Sequence, residues 1–160
     1  MQIIERAKVE DVDRISALWM CLMNDHEQFD SDFFAKKTLM ENVEENKESL
    51  IDYISDPEKV IFVFKIDKVI EGFVTAQIDK LGCFEIYNDI KFCIIDDVLI
   101  TSKFRGKGYG GLFFNEIEKW AKEHKASRID LNVFARNYHA IGFFEGIGFT
   151  ELFKRFSKDI

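Results

Sequence analysis

Residues Phe104-Arg105-Gly106-Lys107-Gly108-Tyr109-Gly110-Gly111 join an apolar run, Val98-Leu99-Ile100, to a helical stripe of Tyr109, Leu112, Phe113, Ile117, Trp120 and Ala121. Strand, glycine loop and helix in that order restrict the fold to one that contains such a unit. Glycines let main chain approach a ligand closely, and the first turn of a helix offers free N–H groups to an anion. Arg105 and Lys107 add positive charge, so the loop suits a phosphate-bearing ligand.

Three phosphate-binding patterns compete. A P-loop ends in Lys-Ser or Lys-Thr, which the segment lacks. The dinucleotide fingerprint G-x-G-x-x-G is met by Gly106, Gly108 and Gly111, but its context fails. It should open the first βαβ unit of a large doubly wound sheet, and here it comes late in the chain. Asp130, near the offset for a ribose-binding acid, falls at the start of the expected strand Ile129 to Phe134 rather than at its end. NAD binding is therefore a distant third reading.

The remaining pattern is R-x-x-G-x-G, met by Arg105, Gly108 and Gly110. It resembles the acyl-CoA pyrophosphate loop of the GCN5-related N-acetyltransferase (GNAT) superfamily. A second block, Asn137 to Phe149, is similar to that family's N-x-x-A-x-x-[hydrophobic]-[YF]-E-x-x-G-F segment, through Asn137, Ala140, Phe143, Phe144, Glu145, Gly148 and Phe149. The resemblance covers nearly the whole chain. It implies a mixed α/β (α+β) fold with a central mixed sheet, antiparallel in its N-terminal half and flanked by helices on both faces.

A chain of 160 residues with 47% apolar residues and 17 phenylalanines can bury a sizeable core. One proline and no low-complexity run leave no linker in view, so residues 1–160 read as a single acyl-CoA N-acyltransferase-like domain. A net charge of −7 argues against a nucleic-acid binder, and an acidic surface favours cationic partners such as amines. Cys21, Cys83 and Cys93 have no C-x-x-C spacing and suggest free thiols in a reducing compartment. With no apolar leader and no bilayer-length apolar stretch, the expectation is a cytoplasmic protein that meets neither membrane nor nucleic acid.

The periodicity predicts a strand over Gln2 to Ala7 and a helix through Val12, Ile15, Trp19, Leu22, Met23 and His26. A second helix is expected from about Phe33 to Tyr53, then a hairpin of Val60 to Lys65 and Val69 to Gln77. Lys91 to Ile100 reads as a central strand. The helix after the glycine loop is followed by a strand at Ile129 to Phe134, a helix at Asn137 to Glu145 and a last strand at Phe149 to Phe156. Gly148 suits the turn out of the final helix.

The resemblance implies the roles of individual residues. Main-chain groups at Val98, Leu99 and Ile100 would pair with the pantetheine arm of acetyl-CoA, as if it were another strand. Gly106, Lys107, Gly108, Tyr109, Gly110 and Gly111 would cradle the pyrophosphate beside Arg105. Lys107 reads equally well as an ordinary surface lysine. Asn137 can start its helix as an N-cap and lie near the cofactor as well, with Ala140 and Phe144 on the same helix.

An alkylammonium must lose a proton before it can attack a thioester. Asp96 and Asp97 resemble the Glu-Asp pair that polyamine acetyltransferases carry before the pantetheine-binding run. By that match Asp96 takes the base position, acting through water. Adjacent strand residues face opposite sides, so only one of the two is expected in a given cleft. Solvation at a strand end explains the pair as simply.

Phe144 departs from the family, since many relatives have there a tyrosine that protonates the departing CoA thiolate. Tyr138 is six residues earlier, about 120° around the helix, and does not replace it. Asp25 and His26 fall where polyamine-type relatives form the acceptor pocket, although a histidine on an apolar face is more often a core residue. No His/Cys/Asp cluster has zinc-ligand spacing, and Cys93 reads as a buried thiol.

The leading expectation is an N-acetyltransferase that passes an acetyl group from acetyl-CoA to a small cationic amine by direct attack in a ternary complex. The alternative is a non-catalytic acyl-CoA-binding or sensing module, motivated by Phe144. Homodimers are common among relatives, which the sequence neither requires nor excludes.

Overall fold

The computed structural model describes residues 2–29, 43–81, 90–158 and 160. Strands β1 (Gln2–Arg6), β2 (Lys59–Ile66), β3 (Val69–Leu81), β4 (Ile90–Ile100) and β5 (Ile129–Leu131) form one sheet in chain order. The first three pairings are antiparallel and β4–β5 is parallel. A parallel pair needs a crossover, and the glycine loop with helix α3 (Tyr109–Glu123) supplies it. Asp67 and Lys68 join β2 to β3 with φ of 48° and 72°, a two-residue turn that follows the twist of the strands.

Helices α1 (Val12–Glu27) and α2 (Val43–Ser55) cover one face of the sheet. On the other face lie α3 and α4 (Tyr138–Gly146). Strand β2 shows why the sheet is covered twice. Val60, Phe62 and Phe64 pack toward α3, while Ile61 and Val63 pack toward α1, so the strand reads as a continuous apolar run. None of the described helices is long and apolar enough to cross a membrane.

The two expected layers and the strand order are present, with three differences. The expected strand Ile129 to Phe134 ends at Leu131. The expected helix from Phe33 begins at Val43 among the described residues, its earlier part lying outside them, as does Cys83. The last strand, expected over Phe149 to Phe156, is absent. Gly148, at φ 98°, turns the chain out of α4, and the amides of Gly148 and Phe149 bond back to Glu145 and Phe144. Beyond that turn Leu152, Phe153 and Phe156 are exposed. A short apolar-rich segment does not make a strand unless an edge pairs with it.

Candidate functional site

Strand β4 carries a bulge at Asp96. Thr75 of β3 faces Asp97 and Ala76 faces Ile95, leaving Asp96 as the extra residue. The bulge reverses the alternation. Cys93 and Ile95 before it, and Val98 and Ile100 after it, all pack on the α3 side, whereas Leu99 packs on the α1 side.

This overturns the expectation that only one of the two aspartates can enter a given cleft. Asp96 accepts from Tyr53 Oη of α2 at 2.6 Å and from Gln77 Nε2 of β3 at 3.1 and 3.2 Å. Asp97 accepts a hydrogen bond from the Trp19 side chain of α1, and its own N–H donates to Thr75 Oγ1 at 3.0 Å. Both carboxylates therefore sit on the α1–α2 face, because the bulged backbone no longer alternates there. Burial, and the neighbouring Asp96 charge after it, push the Asp97 carboxyl up to about 6.

Just past Ile95 the two parallel strands part. The β4–β5 register holds only Cys93 to Ile95 against Ile129 to Leu131, so β4 continues for five residues with no described strand on that edge. Thr101 N–H donates to Glu71 O in β3. In an antiparallel ladder the main-chain groups alternate in direction, so Leu99 also points at β3, opposite Phe73. Val98 and Ile100 point into the gap that β5 has left. Of the three residues expected to pair with a ligand, Leu99 therefore has its main chain committed to the sheet.

The glycine loop closes the far end of this gap. Gly108 caps α3 with φ 85°, and no side chain caps the helix start. Arg105 donates from Nε to the Ile100 carbonyl at 2.7 Å, and its Nη2 lies 3.4 Å from Asp25 Oδ2 of α1. Lys107 Nζ stands 5.3 Å from the Phe104 ring centroid, at the surface. Tyr109 turns away from the loop. Its ring lies 4.3 Å from Phe64 and its hydroxyl donates to Gln2 at 2.9 Å, so only its main chain faces the helix start. Gly110 and Gly111 complete the first turn, with Gly110 against Phe143.

On α4, Asn137 is the N-cap, its side-chain oxygen accepting from Ala140 N at 3.1 Å. Phe144 is buried among Phe114, Phe143 and Phe149, with ring centroids 5.4 to 5.8 Å apart. That position places its ring in the core under α3. At the C-terminal end of α1, His26 packs edge-on against Phe134 at 5.4 Å and lies 6.4 Å from Phe29. Burial lowers the His26 pKa, against the pull of Asp25. Cys93 is buried, which pushes its thiol up to about 12 and leaves it inert. Among the described residues no group of three or more His, Cys, Asp or Glu has metal-binding geometry.

The arrangement is a gap in the sheet with a pair of carboxylates at its inner end and, at its outer end, a helix start without a side-chain cap. Sequence reading missed Trp19, Tyr53, Gln77 and Phe134. A hollow of about 560 Å³, an open trough between β1 and α3, does not contain the carboxylates.

The acetyltransferase (GNAT) family model matches residues 22–149. A point variant of the BH1408 protein from Bacillus halodurans has a similar structure, with a TM-score of 0.89 at 20% identity over 99% of each chain. A predicted acetyltransferase with acetyl-CoA from Clostridium acetobutylicum superposes with a TM-score of 0.79 at 11% identity, over 99% of this chain and 96% of that one. The aminoglycoside 6'-N-acetyltransferase AAC(6')-Ih from Acinetobacter baumannii gives 0.75 at 15% identity, over 100% and 99%. No curated protein matches the chain at a significant level.

Proposed function

Because the chain belongs to the acetyltransferase (GNAT) family, we propose that it transfers an acetyl group from acetyl-CoA to the primary amine of a small cationic molecule, in the cytoplasm and as one domain. The observation that carries this reading is the parting of β4 and β5 at Ile95, next to an uncapped helix start. Val98 and Ile100 would pair with the amides of the pantetheine arm. The first-turn N–H groups of α3 would take the pyrophosphate, with Arg105 beside it. The donor set fits such a ligand, since Val98 and the Ile100 N–H offer an open strand edge in line with the helix start, the Ile100 carbonyl already accepting from Arg105.

The reaction joins the amine nitrogen to the thioester carbonyl carbon, and the C–S bond breaks as CoA leaves. Asp96 and Asp97 supply negative charge for a cationic acceptor and a group to receive its proton. The choice of a cationic amine rests on that pair and on the overall charge of −7. The aminoglycoside acetyltransferase among the similar structures is in keeping with it. Phe144 has no proton to give, so the CoA thiolate would take one from water. A thiolate with a pKa of ~8.5 leaves without that help, at a rate cost of ~10²–10⁴-fold relative to general acid catalysis.

Thermal unfolding with saturating acetyl-CoA, and separately with NAD, is the first test. A ligand at a hundred times its Kd stabilises by ~2.7 kcal/mol, or roughly 5–10 °C at this size. A shift with acetyl-CoA alone, followed by amine-dependent thiol release over an amine panel, supports the reading. A shift with no release by any amine favours a sensing module, and no shift overturns both.

A further inference from the structure

The bulge sets two carboxylates side by side and then gives them different surroundings. Both oxygens of Asp96 are held by donors from two separate elements, Tyr53 on α2 and Gln77 on β3. Asp97 lies deeper, with the Trp19 side chain as its side-chain donor. Donors favour the charged form of a carboxylate, whereas burial beside a like charge favours proton uptake. Paired acids in unlike surroundings take different parts in one reaction.

Resting on the acetyl-transfer reading above, we propose that Tyr53 and Gln77 are positioning residues that fix Asp96 as the anchor for the acceptor's ammonium group, and that Asp97 is the carboxylate that receives its proton. Asp97 takes one proton from the ammonium as the nitrogen lone pair is freed. The nitrogen attacks the thioester carbonyl carbon, the C–S bond breaks, and its electron pair leaves with CoA sulfur. The second proton lost by nitrogen balances the one the thiolate takes up from solvent. Asp97 returns its proton to solvent, and no other reactant is needed.

Among the described residues few other groups can disturb this pair. Lys59 of β2 is near enough to Asp96 to be influenced by it, but is itself paired with Asp52. Cys93 of β4 is buried and neutral, and Asp130 of β5 is paired with Arg128 at 2.8 Å. Trp19 of α1, Thr75 and Gln77 of β3, and the Tyr53 hydroxyl face the pair without charge. After burial, the described charged neighbour that bears on the protonation of Asp97 is therefore Asp96.

Two measurements test the assignment. Carboxyl NMR titration of the free protein should show Asp97 titrating near pH 6 and moving to lower pH in Asp96→Asn. An unmoved Asp97 signal overturns the coupling. With acetyl-CoA and whichever panel amine gives the fastest thiol release, kcat/KM against pH should show an acidic limb near 6. Asp97→Asn should remove that limb and slow the reaction by ~10²–10⁴-fold. Asp96→Asn should shift the limb to lower pH and raise KM more than it lowers kcat. Tyr53→Phe should raise KM while leaving kcat within a few-fold. An acidic limb that survives Asp97→Asn overturns the proposal while leaving acetyl transfer intact. Failure of every amine with wild-type protein removes the acetyl-transfer reading, and the proposal with it. An acetyl-CoA-induced thermal shift retained in each variant shows that fold and cofactor site are unaltered.

Discussion

A β-carbon placed on Gly110 would lie 2.7 Å from Cζ of Phe143, so the first turn of α3 rests directly on the ring of α4. Phe143 cannot easily give way, because its ring also packs on Phe114 at 5.7 Å and Phe144 at 5.4 Å. The R-x-x-G-x-G glycine here thus sets the distance between two helices as well as leaving main chain open. Gly110→Ala should destabilise the fold by ~1–3 kcal/mol through overpacking, read as a lower urea midpoint at unchanged m-value. A neutral result would mean that α4 slides freely on α3.

Gly108 makes a different prediction, since no atom lies within 4 Å of the β-carbon it lacks. Its φ of 85° is the whole constraint. Gly108→Ala should cost ~1–2 kcal/mol from the left-handed backbone alone, and Gly108→Asn less. Equal losses for the two variants, by chemical denaturation, would point to a clash instead.

These two glycines show how unevenly the sequence could be read. The strand–loop–helix unit was legible because it depends on local periodicity, whereas the layer order came from the family resemblance. The bulge was not, since it is defined by Thr75 and Ala76 on another strand. A signal was nonetheless present. The charged doublet Asp96-Asp97 interrupts a strand that is otherwise apolar from Phe92 to Ile100. Tyr53 and Gln77 were invisible for the same reason, being 43 and 19 residues from the aspartate they hold. The C-terminal strand failed in the opposite sense: Leu152, Phe153 and Phe156 carry a strand-like composition, but no edge in the described chain pairs with them.

Arg105 links the glycine loop to both Ile100 and Asp25, and half of its side chain is exposed, as is that of Asp25. Such a pair contributes only ~0–1 kcal/mol to stability, so Arg105→Ala should barely move the unfolding curve. On the proposed reading its effect belongs to acetyl-CoA binding. Removing a cation from the anion site should weaken acetyl-CoA on the order of tenfold by calorimetry, and reduce the dependence of binding on salt. Asp25→Asn frees the guanidinium from a competitor and should tighten binding a few-fold. If Asp25→Asn weakens binding, the ion pair orients Arg105 rather than competing for it.

The protonation of Asp97 also makes a stability prediction, and its sign is the reverse of the common case. Its carboxyl titrates near 6 in the fold against an ordinary 3.8. Between those values the native state binds more protons than the unfolded chain, so this residue's contribution falls as pH rises, and is flat above about 6. Each unit is 1.36 kcal/mol, so at neutral pH ionised Asp97 costs about 2–3 kcal/mol. Asp97→Asn should therefore be more stable than wild type at pH 8, with the advantage shrinking toward pH 4, in urea denaturation at a series of pH values. The same substitution should slow acetyl transfer. A residue whose removal strengthens the fold while disabling the chemistry is held in place for the chemistry. A variant less stable than wild type at pH 8 would instead make Asp97 part of the fold's own support.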